Sequence, residues 1–432
     1  MKVCVVGGGP AGSAAAAEAS DCGAEVTLFE RHEVAPPPSD DWPDFIRSPG
    51  TPSPRASVPR GVEATFGVSV LAVRAGCRVY TAAGTRPFDS VVLASGSSAL
   101  VRPFPGVTKR GVFVLATFED CLRLARERSS LERPVVLGRG LRALRVADAL
   151  LEGGRTVCVA GPDDRPDPRL DPSTSLVLRK AAEARGASFF SGQSVKAVGT
   201  ESVEAVVLDG EVHACDALVV VPSLIPSLPA GDLRRGPCGG ALVGASMESS
   251  IRDCYAAGGC AELAGVSAAS ATRTLSLHYS CATSSRVAGA NAAGRFLAFR
   301  PVGSFGARVF GVGLACAGLS LSQARHLGLD AVESTVSREG STCSLVYDSC
   351  SGRLLGAQMA GACLPSLSPP LSLLASQSVS LSSLAYADLG ESTDISLLLQ
   401  AARQGIAWRR GVGGEGAGLR PDGGGAPVDS RG

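Results

Sequence analysis

A Gly-x-Gly-x-x-Gly/Ala turn occurs twice in this 432-residue chain, at Gly7-Gly8-Gly9-Pro10-Ala11-Gly12 and at Gly138-Arg139-Gly140-Leu141-Arg142-Ala143, each time directly after an apolar run. The motif works only between a buried parallel strand and a helix N-terminus, so two copies constrain the chain to two doubly wound α/β units. In the first copy, Lys2 to Val6 reads as the strand and Ala11 opens a small-residue helix. Val26 to Phe29 reads as the next strand, which closes at Glu30. That acid stands at the distance where a carboxylate meets a dinucleotide ribose. The candidate residues of the first site are therefore Gly7, Gly9, Pro10, Ala11, Gly12, Glu30 and the adjoining Arg31, with phosphates on the helix N-terminus. Those of the second are Gly138, Gly140 and Ala143. Two dinucleotides on one chain imply electron transfer between them.

Composition narrows the class. With 45% hydrophobic residues the chain can bury two or three cores. A net charge of +1 gives no electrostatic footprint for nucleic acid or an anionic membrane. The best apolar run, Ala217 to Leu228, is short and broken by Pro222 and Pro226, so no membrane span is expected. A cytoplasmic location follows as the expectation. The N-terminus has some features of a signal peptide, but Gly7-Gly8-Gly9-Pro10 would be a poor apolar region and Glu30 would go unexplained. The 14 cysteines include no C-x-x-C, and no metal site is expected. Cys4 and Cys158 read as small buried hydrophobes. Cys254 with Cys260, and Cys343 with Cys350, flank turns where a disulfide and free thiols both fit the spacing.

Further segments carry a resemblance. Asp89-Ser90-Val91-Val92-Leu93-Ala94-Ser95-Gly96-Ser97 with Pro103-Phe104-Pro105-Gly106 is followed in order by Asp120, by Pro168-Arg169-Leu170-Asp171-Pro172, and by Cys254-Tyr255-Ala256-Ala257-Gly258-Gly259-Cys260-Ala261-Glu262. Ser285 to Gly294, Ala317-Gly318-Leu319, Leu345-Val346-Tyr347-Asp348 and Gly352 to Gln358 continue the series. Together they resemble the pyridine nucleotide-disulfide oxidoreductase family, the flavoproteins that include NADH oxidases and coenzyme A-disulfide reductases. The resemblance implies FAD at the first site, with Ser95, Gly96, Gly258 and Gly259 beside it, and NADPH or NADH at the second. It implies an FAD-binding domain of residues 1–112 and 244–300, an NAD(P)-binding domain of 113–243 and an α+β dimerisation-like domain of 301–408. Residues 409–432, rich in glycine and arginine without periodicity, read as a disordered tail.

The departures from the family pattern matter as much. The family's redox cysteine falls between Cys22 and Cys77, a stretch without cysteine. Arg31 to Pro59 is short and proline-rich, and Trp42 is expected in an exposed loop packed on its own prolines, with stacking near the flavin as the alternative. Gly259 replaces an aspartate that the family uses on the ribityl chain; a tight turn and a flavin contact through backbone N–H both fit Gly258-Gly259. The strand Thr156 to Ala160 ends at Gly161, without an acid, which favours NADPH, with Arg155 or Arg165 near a 2′-phosphate. Arg139 and Arg142 either meet a pyrophosphate or obstruct it. No histidine follows His326, which reads as an ordinary residue, so a partner-subunit histidine acid at the C-terminus is excluded. His278 and Tyr279 are the better candidates near the flavin.

The expectation is an FAD-dependent NAD(P)H oxidoreductase, homodimeric, that hands electrons to a small acceptor: oxygen, a quinone, a disulfide or polysulfide, or a redox carrier. The alternative is a degenerate flavoprotein scaffold that serves as a binding or assembly subunit without turnover. Catalytic side chains are not identifiable from the sequence.

Overall fold

The computed structural model describes residues 1–34, 37, 41–48, 58–152, 154–163, 165–264, 274–276, 281–299, 302–362, 365–389, 392–409 and 411. His278, Tyr279 and the expected disordered tail, apart from 409 and 411, lie outside them.

Five strands form the first sheet, in the spatial order Cys254–Ala256, Ser90–Leu93, Lys2–Val6, Glu25–Glu30 and Val62–Phe66. All pairings are parallel, with Val3 opposite Val26 on one side and Ser90 on the other. Four of the five residues of Lys2–Val6 and all of Ser90–Leu93 are buried, as a parallel sheet covered on both faces requires. The second sheet repeats this arrangement: Ala187–Ser191, Val157–Gly161, Pro134–Leu137, Ala217–Val220 and Val112–Val114, again all parallel. In each unit a three-stranded antiparallel meander precedes the return strand, at Val70 to Pro87 in one and Val195 to Ala214 in the other.

Helix α1 (Pro10–Asp21) leaves the first glycine turn. Its alanines serve packing more than helix propensity, because α1 lies against a second small-residue helix. A Cβ at Gly289 of that helix (Cys281–Ala292) would come within 2.2 Å of the Ala15 carbonyl oxygen. The two backbones touch only because glycine is there.

The segment after Glu30 differs from the expectation of an open loop. Trp42–Arg47 forms a short helix, α2, whose Trp42, Phe45 and Ile46 are buried. It packs on the second unit's helices α3 (Phe118–Glu127) and α4 (Leu141–Leu150). Trp42 thus lies against Phe118, ring centroids 6.4 Å apart, and not on its own prolines. Ion pairs from Arg47 to Asp148 (2.8 Å) and from Arg145 to Asp44 (2.9 Å) fix the crossing. An apolar triad needed a partner surface, and the neighbouring unit supplied one.

The C-terminal region is a five-stranded antiparallel sheet in the order Phe305–Val309, Val312–Gly318, Leu354–Gly361, Ser341–Asp348 and Ala331–Arg338. Helices at Ser368–Ser376, Leu381–Ala385 and Thr393–Arg409 close one face over Leu345, Tyr347 and Met359. Cys254, Cys260, Cys343 and Cys350 are all free thiols, so neither candidate pair is bridged. Among the described residues no helix is long and apolar enough to cross a membrane.

Candidate nucleotide sites

Each glycine of the first turn has a separate physical reason. Gly7 sits at φ +110°, and a Cβ there would strike the Ala94 carbonyl oxygen at 2.4 Å. At Gly12 a Cβ would come within 1.7 Å of the Gly7 oxygen, so the helix could not pack on the turn. Around Gly9, by contrast, an added Cβ meets nothing within 4 Å: this is open space over the turn, where a phosphate can approach backbone. Gly9 is also the N-cap of α1, with no side chain capping the helix and Pro10 in its first turn. The first-turn N–H groups and the positive end of the dipole therefore face the opening.

Glu30 ends its strand beneath this turn, 5% exposed. Its Oε2 accepts the Gly8 N–H at 2.6 Å and its Oε1 the His32 N–H at 2.9 Å. Each carboxylate oxygen has a second lone pair, so the acid still has room to accept from a ribose hydroxyl. Arg31 is exposed beside it and donates from Nε to the His32 Nε2 at 3.1 Å.

A cleft of about 940 Å³ runs from this turn across the first unit. That is the upper end of the ~300–1,000 Å³ that ligand sites occupy. Gly7, Gly9, Pro10, Ala11, Glu30, Arg31, Ser95, Gly96 and Gly259 line it near the turn, and Trp42, Thr117 and Phe118 line its far wall. Ser95 donates its hydroxyl to the Ser227 oxygen (2.5 Å), and Ser97 to that of Gly259 (3.1 Å). Gly96 (φ +69°) and Gly258 (φ +67°) take left-handed backbone. The Gly258 N–H donates to Ser284 Oγ at 3.4 Å, which joins that turn to the helix packed on α1. Gly258 and Gly259 thus form a tight turn, and Gly259 is part of the cleft floor with Gly258 buried behind it. The far wall is held by Asp120, whose Oδ2 accepts the Thr117 N–H (2.9 Å) in the capping box of α3.

No described residue that lines this cleft is a cysteine. The nearest in sequence to its floor, Cys260, is fully buried, with its thiol donating to the carbonyls of Leu93 and Ala257 at 3.3 Å. Burial pushes that thiol up. It also raises Cys77 to about 11 and Cys121 and Cys254 to about 12. These groups stay protonated and are poor nucleophiles.

The second turn has the same glycine pattern, but its N-cap glycine has φ +78° at Gly140 against −71° at Gly9, and its surroundings differ. A Cβ at Gly138 would meet the Val221 oxygen at 2.9 Å, and Ala143 is fully buried against the turn, as the pattern demands. Gly140 (φ +78°) caps α4. The α4 N-terminus, however, does not open on the cleft. The Asp167 carboxylate is planted there: Oδ2 accepts the Leu141 N–H at 2.9 Å, and Asp167 is 2% exposed. Arg139 donates to Asp163 Oδ2 (2.9 Å), and Arg165 donates to the same oxygen (3.0 Å). Arg155 lies at the opposite end of Val157–Gly161, bonded to the Glu152 and Ser129 carbonyls. Nucleotides bind at the carboxyl ends of parallel strands. Arg155 is therefore removed from the candidates for a 2′-phosphate, and Arg165 remains. Arg142 turns toward α2, with its guanidinium 5.9 Å from the Trp42 ring and donating to the Leu115 and Pro222 oxygens. His326 is exposed on a short helix, Leu321–His326, away from both turns.

Residues 1–282 match the pyridine nucleotide-disulphide oxidoreductase family. The chain belongs to that family. Among curated relatives it is 28% identical over 311 residues to an NADH oxidase of Streptococcus pyogenes, which covers 63% of this chain and 66% of that one. It is 30% identical over 222 residues to an NADH oxidase of Methanocaldococcus jannaschii, covering 50% and 49%. The chain thus spans about half to two thirds of the length of these relatives. A solved water-forming NADH oxidase from Lactobacillus brevis superposes with a TM-score of 0.83 over 95% of this chain and 99% of that one, at 22% identity. An NAD-dependent persulfide reductase from A. fulgidus does so with 0.84 over 95% and 84%, at 20%. Both are likenesses of fold. The stretch between Cys22 and Cys77, where the resemblance places a redox cysteine, contains none, and α2 with its Trp42 lies within that stretch.

Two features escaped the sequence reading. Asp167 and Asp163 lie in the Pro- and Arg-interspersed run after Val157–Gly161, and that mixture of charge and proline was the only signal. The helical start at Trp42 was signalled by Trp42-Pro43, with proline in a first helical turn.

Proposed function

We propose that this chain is an FAD-dependent NAD(P)H oxidoreductase whose acceptor takes electrons without a protein thiol as relay. The observation that carries the proposal is the first turn: an uncapped helix N-terminus, open space at Gly9 and a buried Glu30 on a 940 Å³ cleft that has no cysteine in its described lining. Gly7, Gly9, Pro10, Ala11 and Gly12 would hold the pyrophosphate, Glu30 and Arg31 the ribose side, and Ser95, Gly96, Gly258 and Gly259 the floor. Gly138, Gly140 and Ala143 would form the NAD(P)H turn. The bound flavin supplies two-electron chemistry between nicotinamide and acceptor. The chain's own groups orient the cofactor and exclude water, with Trp42 and Phe118 as the apolar far wall. A small oxidant such as oxygen or a quinone fits this set, and polysulfide is supported by the similarity to an NAD(P)H coenzyme A polysulfide/persulfide reductase of Pyrococcus horikoshii. A homodimer through the C-terminal unit is supported by the exposed Leu373, Tyr386 and Trp408, and a cytoplasmic location by the free thiols of the described residues.

The test is direct. Purified protein incubated with FAD takes up one flavin per chain and oxidises NADH or NADPH with oxygen or a quinone, and alkylation of its accessible cysteines leaves that rate within twofold. Failure to bind FAD at tens of micromolar favours the scaffold reading, which the acid on the second helix N-terminus also favours.

A further inference from the structure

The two glycine turns are an internal comparison on one chain, and they differ in what occupies the helix N-terminus. At α1 the helix N-terminus faces the cleft and no side chain caps it. At α4 the equivalent position holds a carboxylate from the same chain, the buried Asp167, on the Leu141 N–H. That N–H and the positive helix end are what a dinucleotide pyrophosphate would use.

The acid is not there by accident of a loose loop. Its Oδ1 accepts the Arg169 N–H and Nε, both at 2.9 Å, and its Oδ2 accepts Arg169 Nη2 at 2.6 Å. Arg169 is in turn sandwiched against the C-terminal sheet, its guanidinium 4.3 Å from the Phe305 ring centre. The Arg169 carbonyl accepts from Gln358 Nε2 at 2.8 Å, and Gln358 Oε1 accepts the Asp171 N–H, also at 2.8 Å. The acid is thus held directly from two sides, by helix α4 and by Arg169, and Arg169 is anchored in turn by the C-terminal unit.

The geometry points to Asp167 as a built-in occupant of the second anion seat, an autoinhibitory contact that NAD(P)H must displace to bind. The inference rests on the oxidoreductase reading and refines its second site. An internal carboxylate competes at high effective concentration, so the apparent affinity for the dinucleotide is the intrinsic affinity multiplied by the fraction of molecules in which the seat is empty. If the acid stayed in place, it would also repel the incoming diphosphate. Because Arg169 is held by Phe305 and Gln358, any change that loosens the C-terminal sheet from residues 167–171 opens the seat.

The experiment uses the full chain loaded with FAD and measures the Kd of NADH and NADPH for wild type, Asp167→Asn and Asp167→Ala. The isosteric Asn variant guards against a fold defect, with FAD stoichiometry and melting temperature as controls. Both variants are expected to bind both dinucleotides about 10- to 100-fold more tightly, the worth of a charge-assisted bond. In wild type, saturating NADPH is expected to speed hydrogen exchange in residues 165–170. Wild-type affinity unchanged within twofold in both variants, or slower exchange there, overturns the inference and leaves the oxidoreductase reading standing. FAD-loaded protein that binds neither dinucleotide in any variant overturns both.

Discussion

Asp171 accepts the amide N–H of Leu321 at 2.8 Å across 150 residues of sequence, and so uses its carboxylate to hold the C-terminal unit instead of capping its own helix, Pro172–Ala184. The acid is 1% exposed and its Oδ2 has no hydrogen-bond partner. Burial, and then the nearby Glu333 charge, push its carboxyl up to about 7. An acid raised in the folded state contributes stability that is fully present below the ordinary carboxylate value and is lost as pH rises through about 7. Each pH unit travelled in that window is worth roughly 1.4 kcal/mol at most. Asp171→Asn keeps the acceptor for Leu321 and removes the charge, so its melting temperature should exceed that of wild type by a growing margin as pH rises from about 4 to 8, and match it only at or below about pH 4, the ordinary carboxylate value. Parallel melting curves of the two proteins across that range would refute the assignment.

The first turn separates steric from phosphate roles. Gly12→Ala places a Cβ 1.7 Å from the Gly7 oxygen and should yield protein that melts early or fails to fold. Gly9→Ala meets no protein atom, so it should fold normally yet bind FAD at least about tenfold more weakly, since only the approach of the phosphate is blocked. Thermal unfolding without FAD and flavin titration with it distinguish the two. Equal flavin affinity in Gly9→Ala and wild type would show that the pyrophosphate does not rest there.

Glu30→Gln weakens the 2.6 Å bond from the Gly8 N–H and leaves a neutral group at the ribose. The cost should be about 1–3 kcal/mol in FAD affinity, roughly one to two decades in Kd. Flavin fluorescence titration measures it.

Selection between NADH and NADPH should depend on Asp163, which shares one oxygen between Arg139 and Arg165. Asp163→Ala frees both guanidinium groups for a 2′-phosphate. It should shift the ratio of kcat/KM values toward NADPH by about 1–2 kcal/mol. A Gly161→Glu change should shift it the other way; a side chain fits there, with nothing closer than the Gly138 oxygen at 3.4 Å. An unaltered ratio in both variants would place the adenosine ribose elsewhere.

Both glycine turns, their strands and Glu30 were legible because each is a local demand: backbone that only glycine can take, and strands buried on two faces. The acid on the second helix was not. Asp167 reaches the Leu141 N–H from 26 positions away, and its hold depends on Arg169, Phe305 and Gln358, the last two from the C-terminal sheet. Trp42 was misplaced for the same reason, since its partners Phe118 and Arg142 come from the other unit. Local rules fix what a segment can be; contacts between units decide where its side chains end.

The first sheet takes its edge strand from Cys254–Ala256 and its packing helix from Cys281–Ala292, whereas the second sheet is complete within Val112–Ala217 and its neighbours up to Val220. During synthesis the chain emerges N-terminus first and domains fold as units. The glycine turn at residues 7–12 therefore leaves the ribosome long before the helix that packs against α1 exists, and it waits while the inserted unit folds. Flavin capture belongs to the end of biosynthesis, although its fingerprint is among the first residues made.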